Sequence, residues 1–207
     1  MLLKNHDNDV TKNVVLDLDD ILSQSKINSV LYSDPFLKAG FLAKLVQDTK
    51  IDVLYLDLDL LYSGYLASEI LGTPQNLVLF QPTLELWNQM LTDVLVKLSN
   101  KKSLVVIDSL NGLYNILNER KEVGKLVTSY IMLITSIAKI TNSYIVVASM
   151  VRFKKEEGWV LSPTGKRLIE TSMAKKILLG QNDSEITLDF LKEKKKITIP
   201  LNAIPLV

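Results

Sequence analysis

The chain has 207 residues, 47% of them hydrophobic and 23% charged, with a formal net charge of +1. That is enough apolar material for one α/β domain with a sizeable core, which excludes a disordered tail, and the balanced charge excludes a globally polyanion-seeking protein. The absence of Cys and the single His, His6, exclude disulfides, thiolate zinc sites, thiol nucleophiles and a histidine-built triad, so no metal is expected.

In chain order, short apolar runs alternate with helix-like segments. Residues 27–33 read as a first strand and 36–48 as a helix. Residues 52–57 are a second strand, followed by a helix over 64–71 and a short strand over 76–80. Leu84, Trp87, Leu91, Val94, Leu95 and Leu98 recur at helical spacing. Residues 103–108 form the strongest strand, 122–140 a long helix and 143–149 another apolar strand. After residue 160 the strands become shorter and alternate, over 175–179, 186–191 and 196–200. Strands apolar on both faces and set between helices imply a mostly parallel sheet, and the later ones an antiparallel extension. The expected organisation is a single domain: a lead of 1–14, a core of 15–160 and an extension of 161–207. No uninterrupted apolar run reaches the roughly 18 residues of a membrane span. Asp7, Asp9 and Asp17 stand where a signal peptide needs an apolar stretch. A cytoplasmic chain with no membrane partner is expected.

One stretch carries chemistry. Leu104-Val105-Val106-Ile107-Asp108-Ser109 ends an apolar strand in an acid and a hydroxyl, as a P-loop ATPase presents the Asp that orients Mg²⁺. An intact phosphate loop reads G-x-x-x-x-G-K-[S/T]. The matching slot, from Asp34 to Phe41, has Asp34 for the first Gly, Ala39 for the second, Gly40 for the Lys and Phe41 for the hydroxyl. Such a loop cradles phosphate with bare N–H groups at a helix N-terminus. Here Pro35 has no N–H, Asp34 brings the wrong charge, and the one cation, Lys38, sits at the wrong offset. No cofactor is expected. With the phosphate loop gone, Asp108, Asp59 and Asp57 are expected to be solvated or bonded to loop N–H groups. Phe36 or Phe41 is expected to turn toward the core or the old nucleotide space.

The order of motifs resembles the ATPase core of the RecA/RadA recombinase superfamily, including its KaiC-like relatives. Leu18-Asp19-Asp20-Ile21-Leu22 is similar to the L-D-x-L-L before that family's first core strand. Val53 to Asp59 is similar to V-I-Y-I-D-T-E, which puts Asp59 where the family has its water-activating Glu. Residues 104–109 are similar to L-I-V-I-D-S, and 144–149 to V-I-V-T-N-Q. Ser162-Pro163-Thr164-Gly165 and the last three strands match the C-terminal hairpin region. The resemblance implies a RecA-like core with a degenerate Walker A motif, a vestigial metal-orienting Asp108 and a vestigial base position at Asp59. Neither the family's small N-terminal helical domain nor its polymerisation motif F-x-x-A has a counterpart before residue 15. Phe36-Leu37-Lys38-Ala39 spells the latter within the altered loop.

Recombinases bind single-stranded DNA through two loops. The resemblance puts the second at Met150 onward, where Arg152, Phe153, Lys154, Lys155 and Trp159 offer cations and aromatics, with Lys166 and Arg167 assisting. The first holds Arg120 and Lys121. The bland alternative is a solvated loop in which Glu156 and Glu157 cancel part of the charge. The run Lys192 to Lys196 reads as a hairpin tip kept soluble by charge. Leu60, Leu61, Tyr62, Tyr65, Tyr114, Ile116 and Leu117 either form a contact surface or fill a vacated nucleotide space.

The leading expectation is a non-catalytic RecA/RadA-like paralogue in DNA recombination or repair. It would bind single-stranded DNA, a RecA-fold protein partner or copies of itself. The alternatives are an ATPase-dead structural subunit of a hetero-oligomeric RecA-fold complex, similar in kind to the accessory subunits of Elongator, and an active nucleotide hydrolase with a rebuilt phosphate loop.

Overall fold

A computed structural model describes residues 15–161 and 174–206. The elements are α1 (Leu18–Ile21), β1 (Ile27–Tyr32), α2 (Pro35–Asp48), β2 (Asp52–Asp57), α3 (Leu61–Ala67), β3 (Leu77–Phe80), α4 (Trp87–Asn100) and β4 (Ser103–Asp108), followed by α5 (Leu110–Ile116), α6 (Val123–Ile140), β5 (Tyr144–Lys154), β6 (Gly158–Leu161), β7 (Lys175–Gln181), β8 (Glu185–Phe190) and β9 (Lys195–Pro200). They build an α/β fold on one mixed sheet in the order β3-β2-β4-β5-β1-β7-β8-β9, with β6 paired to β5 alone. From β3 to β7 every neighbouring pair is parallel. The β5–β6, β7–β8 and β8–β9 pairs are antiparallel.

The strands alternate faces, so each central run feeds two cores. Val53, Tyr55, Leu104, Val106, Val146 and Ala148 point to one face, which α2 and α3 cover with Phe41, Leu42, Leu45 and Tyr62. Leu54, Leu56, Val105, Ile107, Ile145 and Val147 point to the other, under Trp87, Leu91 and Val94 of α4, Leu113 of α5 and Val127, Ile131 and Ile134 of α6. This double burial is why the strands read as continuous apolar runs.

The expected α/β class with a mostly parallel sheet and an antiparallel extension is what the chain forms. The largest differences fall at three elements. The helix expected over 64–71 runs from Leu61 to Ala67, because Leu60 turns the chain at φ 59° and the Asp57 carboxylate accepts the Ser63 N–H at 2.7 Å. The helix expected from Leu84 begins at Trp87. The strand expected to end at Ser149 continues to Lys154, because β6 folds back on it.

Helix α6 is 18 residues long with a mean hydropathy of 1.4, and 28% of it is buried. Its inner stripe of Val127, Ile131, Ile134 and Ala138 packs on the sheet.

Candidate functional site

The connection from β1 to α2 is two residues, Ser33 and Asp34. Pro35 opens the helix, a position where a missing N–H costs nothing and the fixed φ is already helical. Asp34 is the N-cap, and its Oδ1 accepts the N–H of Phe36 at 2.8 Å and, weakly, that of Leu37 at 3.4 Å. The Lys38 N–H donates to the Asp34 carbonyl at 3.1 Å. The N–H groups that a phosphate would need are therefore taken by the chain's own carboxylate and carbonyl. The helix expected over 36–48 runs from Pro35 to Asp48, so the slot that matches a phosphate loop is helical from its second residue onward. Phe41 is fully buried, as expected, whereas Phe36 is 69% exposed.

Lys38 lies four residues into α2 and points under the carboxyl ends of β2 and β4. It is 0% exposed. Its Nζ lies 2.5 Å from Asp108 Oδ1 and 2.8 Å from Asp59 Oδ2, and 5.0 Å from the centre of the Tyr32 ring. The Tyr55 hydroxyl donates to Asp108 Oδ2 at 2.7 Å. The Ser109 hydroxyl donates to Asp59 Oδ1 at 3.1 Å, and the Gly112 N–H donates to Ser109 Oγ at 3.2 Å. The backbone closes the corner further: the N–H groups of Leu58 and Asp59 reach the Asp108 carbonyl at 2.6 and 3.2 Å. Gly112 is required here, since a Cβ at that position would lie 2.6 Å from Asp59 Oδ1 and 2.7 Å from Leu58 Cβ.

The expectation for Asp108 is corrected. It is neither solvated nor held by loop N–H groups, but buried in an ion pair with Lys38. Burial pushes its carboxyl up to about 6, against the pull of the Lys38 ammonium and the Tyr55 hydroxyl. Burial alone would lower Lys38. The Asp108 carboxylate, with Tyr32 and Asp59, outweighs it and holds the ammonium above the ordinary lysine value. Asp57 follows its expectation, bonded to the Ser63 N–H. Burial, then the Asp57 charge, pushes the nearby Tyr62 hydroxyl up to about 12. Tyr62 stacks on Tyr55 with ring centroids 4.3 Å apart. Of the residues expected either to fill space or to face a partner, Tyr62 and Leu117 are buried, while Leu60 is 57% exposed. Among the described residues no group of three His, Cys, Asp or Glu could hold a metal ion. Chemically the corner is an acidic cluster in which one buried ammonium faces two carboxylates, and Asp59 is its water-facing edge.

The second candidate site is not a loop but the β5–β6 ribbon. Phe153 and Trp159 are directly cross-strand, with ring centroids 5.5 Å apart at 72°. They are 63% and 45% exposed. Arg152 and Lys154 alternate with Phe153 and so project from the opposite face. Lys154 is paired with Glu157 at 2.6 Å, which spends part of its charge as the bland reading expected. Arg152 and Lys155 are exposed. Arg120 and Lys121 lie exposed in the turn between α5 and α6. Lys166 and Arg167 lie outside the described residues.

The fold and site define an α/β protein with a mostly parallel mixed sheet, an acidic corner held by a buried lysine and an aromatic-tipped ribbon. No protein-family model matches the chain, and no curated protein matches it.

Proposed function

We propose that the protein is a non-catalytic, RecA/RadA-like α/β protein that binds single-stranded DNA through the β5–β6 ribbon and serves recombination or repair. The observation that carries the non-catalytic part is Lys38. The one cation at the helix that would face a phosphate is buried against Asp108 and Asp59. Two supports lie in the topology and the ribbon. The strand with the acid, β4, is separated from β1 by β5, in keeping with a RecA-like core. The ribbon offers two exposed rings for bases and nearby cations for phosphates, a pairing suited to sequence-tolerant single-strand binding. Because the cations and rings face opposite ways, a strand would wrap the ribbon edge, with bases on Phe153 and Trp159 and phosphates passing Arg152 and Lys155.

A second reading, a structural subunit docked on another RecA-fold chain, is favoured by the exposed Phe36 and Leu60 beside the lysine-held acidic corner.

The test titrates a labelled single-stranded oligonucleotide at two salt concentrations against wild type, Trp159→Ala and the triple variant Arg152→Ala/Lys154→Ala/Lys155→Ala. Trp159→Ala should cost about 1–3 kcal/mol of affinity, and the triple variant should flatten the salt dependence. Absence of wild-type binding at low salt would overturn the DNA reading and leave the partner-subunit reading. Metal-dependent ATP turnover that Asp108→Asn abolishes would overturn the non-catalytic part.

A further inference from the structure

The 24 Lys and Arg residues are unevenly placed. None falls between residues 51 and 96, a stretch that holds six of the 23 acids. It runs from the start of β2 into α4 and builds the β3 end of the sheet. Among the described residues four leucine or isoleucine side chains are more than half exposed, and three of them lie in this stretch: Leu60 at 57%, Ile70 at 56% and Leu86 at 54%. Each directly follows an acid, Asp59, Glu69 and Glu85 respectively. One device, a carboxylate beside an aliphatic side chain, thus recurs in three successive connections, β2–α3, α3–β3 and β3–α4.

β2 and β3 are parallel neighbours, with Leu56 opposite Phe80. Leu60 and Leu86 therefore leave the same end of the sheet, and Ile70 lies in the segment that leads into β3. Folding gives little reason for these side chains. Leu60 sits at φ 59° and Glu69 at φ 58°, left-handed positions that Gly or Asn fills at lower cost. The six acids divide in two. Asp52 pairs with Lys101, Asp59 with Lys38, and Asp57 is buried against the Ser63 N–H. Glu69, Glu85 and Asp93 are exposed, with no ion pair among the described residues. Hydrogen bonds from its own backbone and from Thr83 hold the Glu85 carboxyl below its ordinary value. The first cation past the stretch, Lys97, stands in the last turn of α4. Outside the described residues, Lys4 and Lys12 are matched by Asp7 and Asp9, and Lys166 and Arg167 exceed Glu170 by one. Those segments bring one surplus positive side chain against three exposed carboxylates.

We propose that this end of the sheet docks a partner protein through a basic segment, one in which Lys or Arg adjoins aliphatic side chains. The exposed aliphatics supply the apolar anchor, which carries most of the affinity of an interface. The carboxylates beside them select the sign of the partner and speed its approach. A second copy meeting this end through the same face would set acid against acid. Nucleic acid is disfavoured by the same charge, since its phosphates would face carboxylates with no cation to receive them.

The inference does not rest on the ribbon or on single-strand binding. β3 is separated from β5, which carries the ribbon, by β2 and β4, roughly 14 Å across three strand spacings. It adds to the partner-subunit reading the chemistry of what docks, and does not require that partner to have a RecA fold.

The experiment measures anisotropy of three labelled peptides with the full chain at two salt concentrations. One peptide alternates Lys and Leu, one Lys and Ser, and one Glu and Leu. The acid variant is Glu69→Gln/Glu85→Gln/Asp93→Asn, and the aliphatic variant is Leu60→Asn/Ile70→Ser/Leu86→Ser. Glu156→Gln/Glu157→Gln, at the ribbon turn, is the control. All of these residues are exposed, so the urea midpoint should hold. The Lys-Leu peptide should bind wild type, more tightly at low salt. The acid variant should weaken it at least about tenfold and flatten its salt dependence. The aliphatic variant should weaken it at least about tenfold and keep the salt dependence. The control should bind as wild type does. If the aliphatic variant does not fold, Ile70→Ser and Leu86→Ser should each weaken binding about fivefold. Wild type that fails to bind the Lys-Leu peptide at low salt overturns the proposal, as does an acid variant with unchanged affinity. Equal affinity for the Lys-Ser peptide overturns the aliphatic anchor, and equal affinity for the Glu-Leu peptide overturns the choice of a basic partner. Loss of peptide binding in the control alone overturns the location. Single-strand binding is measured on the same samples, and its absence bears only on the ribbon.

Discussion

Lys38 holds its corner together through charge, and its removal should show what the charge is for. Lys38→Met leaves the Asp108 carboxylate buried with Tyr55 as its remaining side-chain partner. Breaking a buried pair in this way costs about 3–5 kcal/mol, which urea unfolding would register as a fall in midpoint. The double variant Lys38→Met/Asp108→Leu removes both charges and should recover most of that loss. A double variant no more stable than Lys38→Met would show that the pair is not a self-contained unit. Asp108 makes a second prediction. Its carboxyl stands near 6 in the folded chain, above the unfolded value of 3.8. Between those values the folded state binds more protons, so this group's contribution to stability is greatest below 3.8 and is lost as pH rises to about 6. Lys38 is charged in both states across that window and adds no slope. Subtracting the pH profile of Asp108→Asn from that of wild type should leave a decline of roughly 3 kcal/mol over that range. A flat difference would mean that Asp108 is charged throughout.

Among the elements, α5 depends on close approach. Gly112→Ala should push the β2–α3 corner away from α5 and destabilise by about 1–3 kcal/mol, measurable as a drop in Tm. An unchanged Tm would mean the corner yields freely. The elements also show what a linear sequence can reveal. The central strands and α6 are legible because burial on both sheet faces writes continuous apolar runs, and burial of one helix face writes a 3.6-residue stripe. The start of α3 is not, because it is set by a left-handed residue, Leu60, and by the Asp57 carboxylate reaching Ser63. The length of β5 is not legible either. Its last residues, from Arg152 to Lys154, are half-polar and become strand only by pairing with β6. The acids of the candidate site are legible from their positions at strand ends. Their partner is not, since Lys38 is 70 residues from Asp108 in sequence and only the sheet order brings them together.

For the molecule as a whole, the C-terminal segment locks the first layer. After β9 the chain makes a short 3-10 turn, Leu201–Ala203, and Ile204 covers the outer side of α2. A Cβ at Gly40 would meet Ile204 Cγ2 at 2.9 Å. This cover explains why α2 is buried on nearly all sides, including Lys44, which is paired with Asp48 at 2.9 Å. Ile204→Ala should cost about 2–5 kcal/mol and lower the midpoint of one cooperative unfolding transition. A separate early transition would instead show that the C-terminal segment melts independently of the sheet.

The two-residue corner between Tyr32 and Pro35 also limits what substitution can achieve. Writing glycines, a lysine and a threonine into positions 34–41 would change side chains around a packed helix, and no cradle would open. Substituting Thr for Phe41 would hollow the core, and moving the lysine to position 40 would drive it into Ile204. A phosphate-gripping loop at this corner would need residues inserted, with Asp34 and Lys38 released at the same time. Each step alone would be harmful. The closure of this corner to a phosphate is therefore guarded by geometry as well as by residue identity.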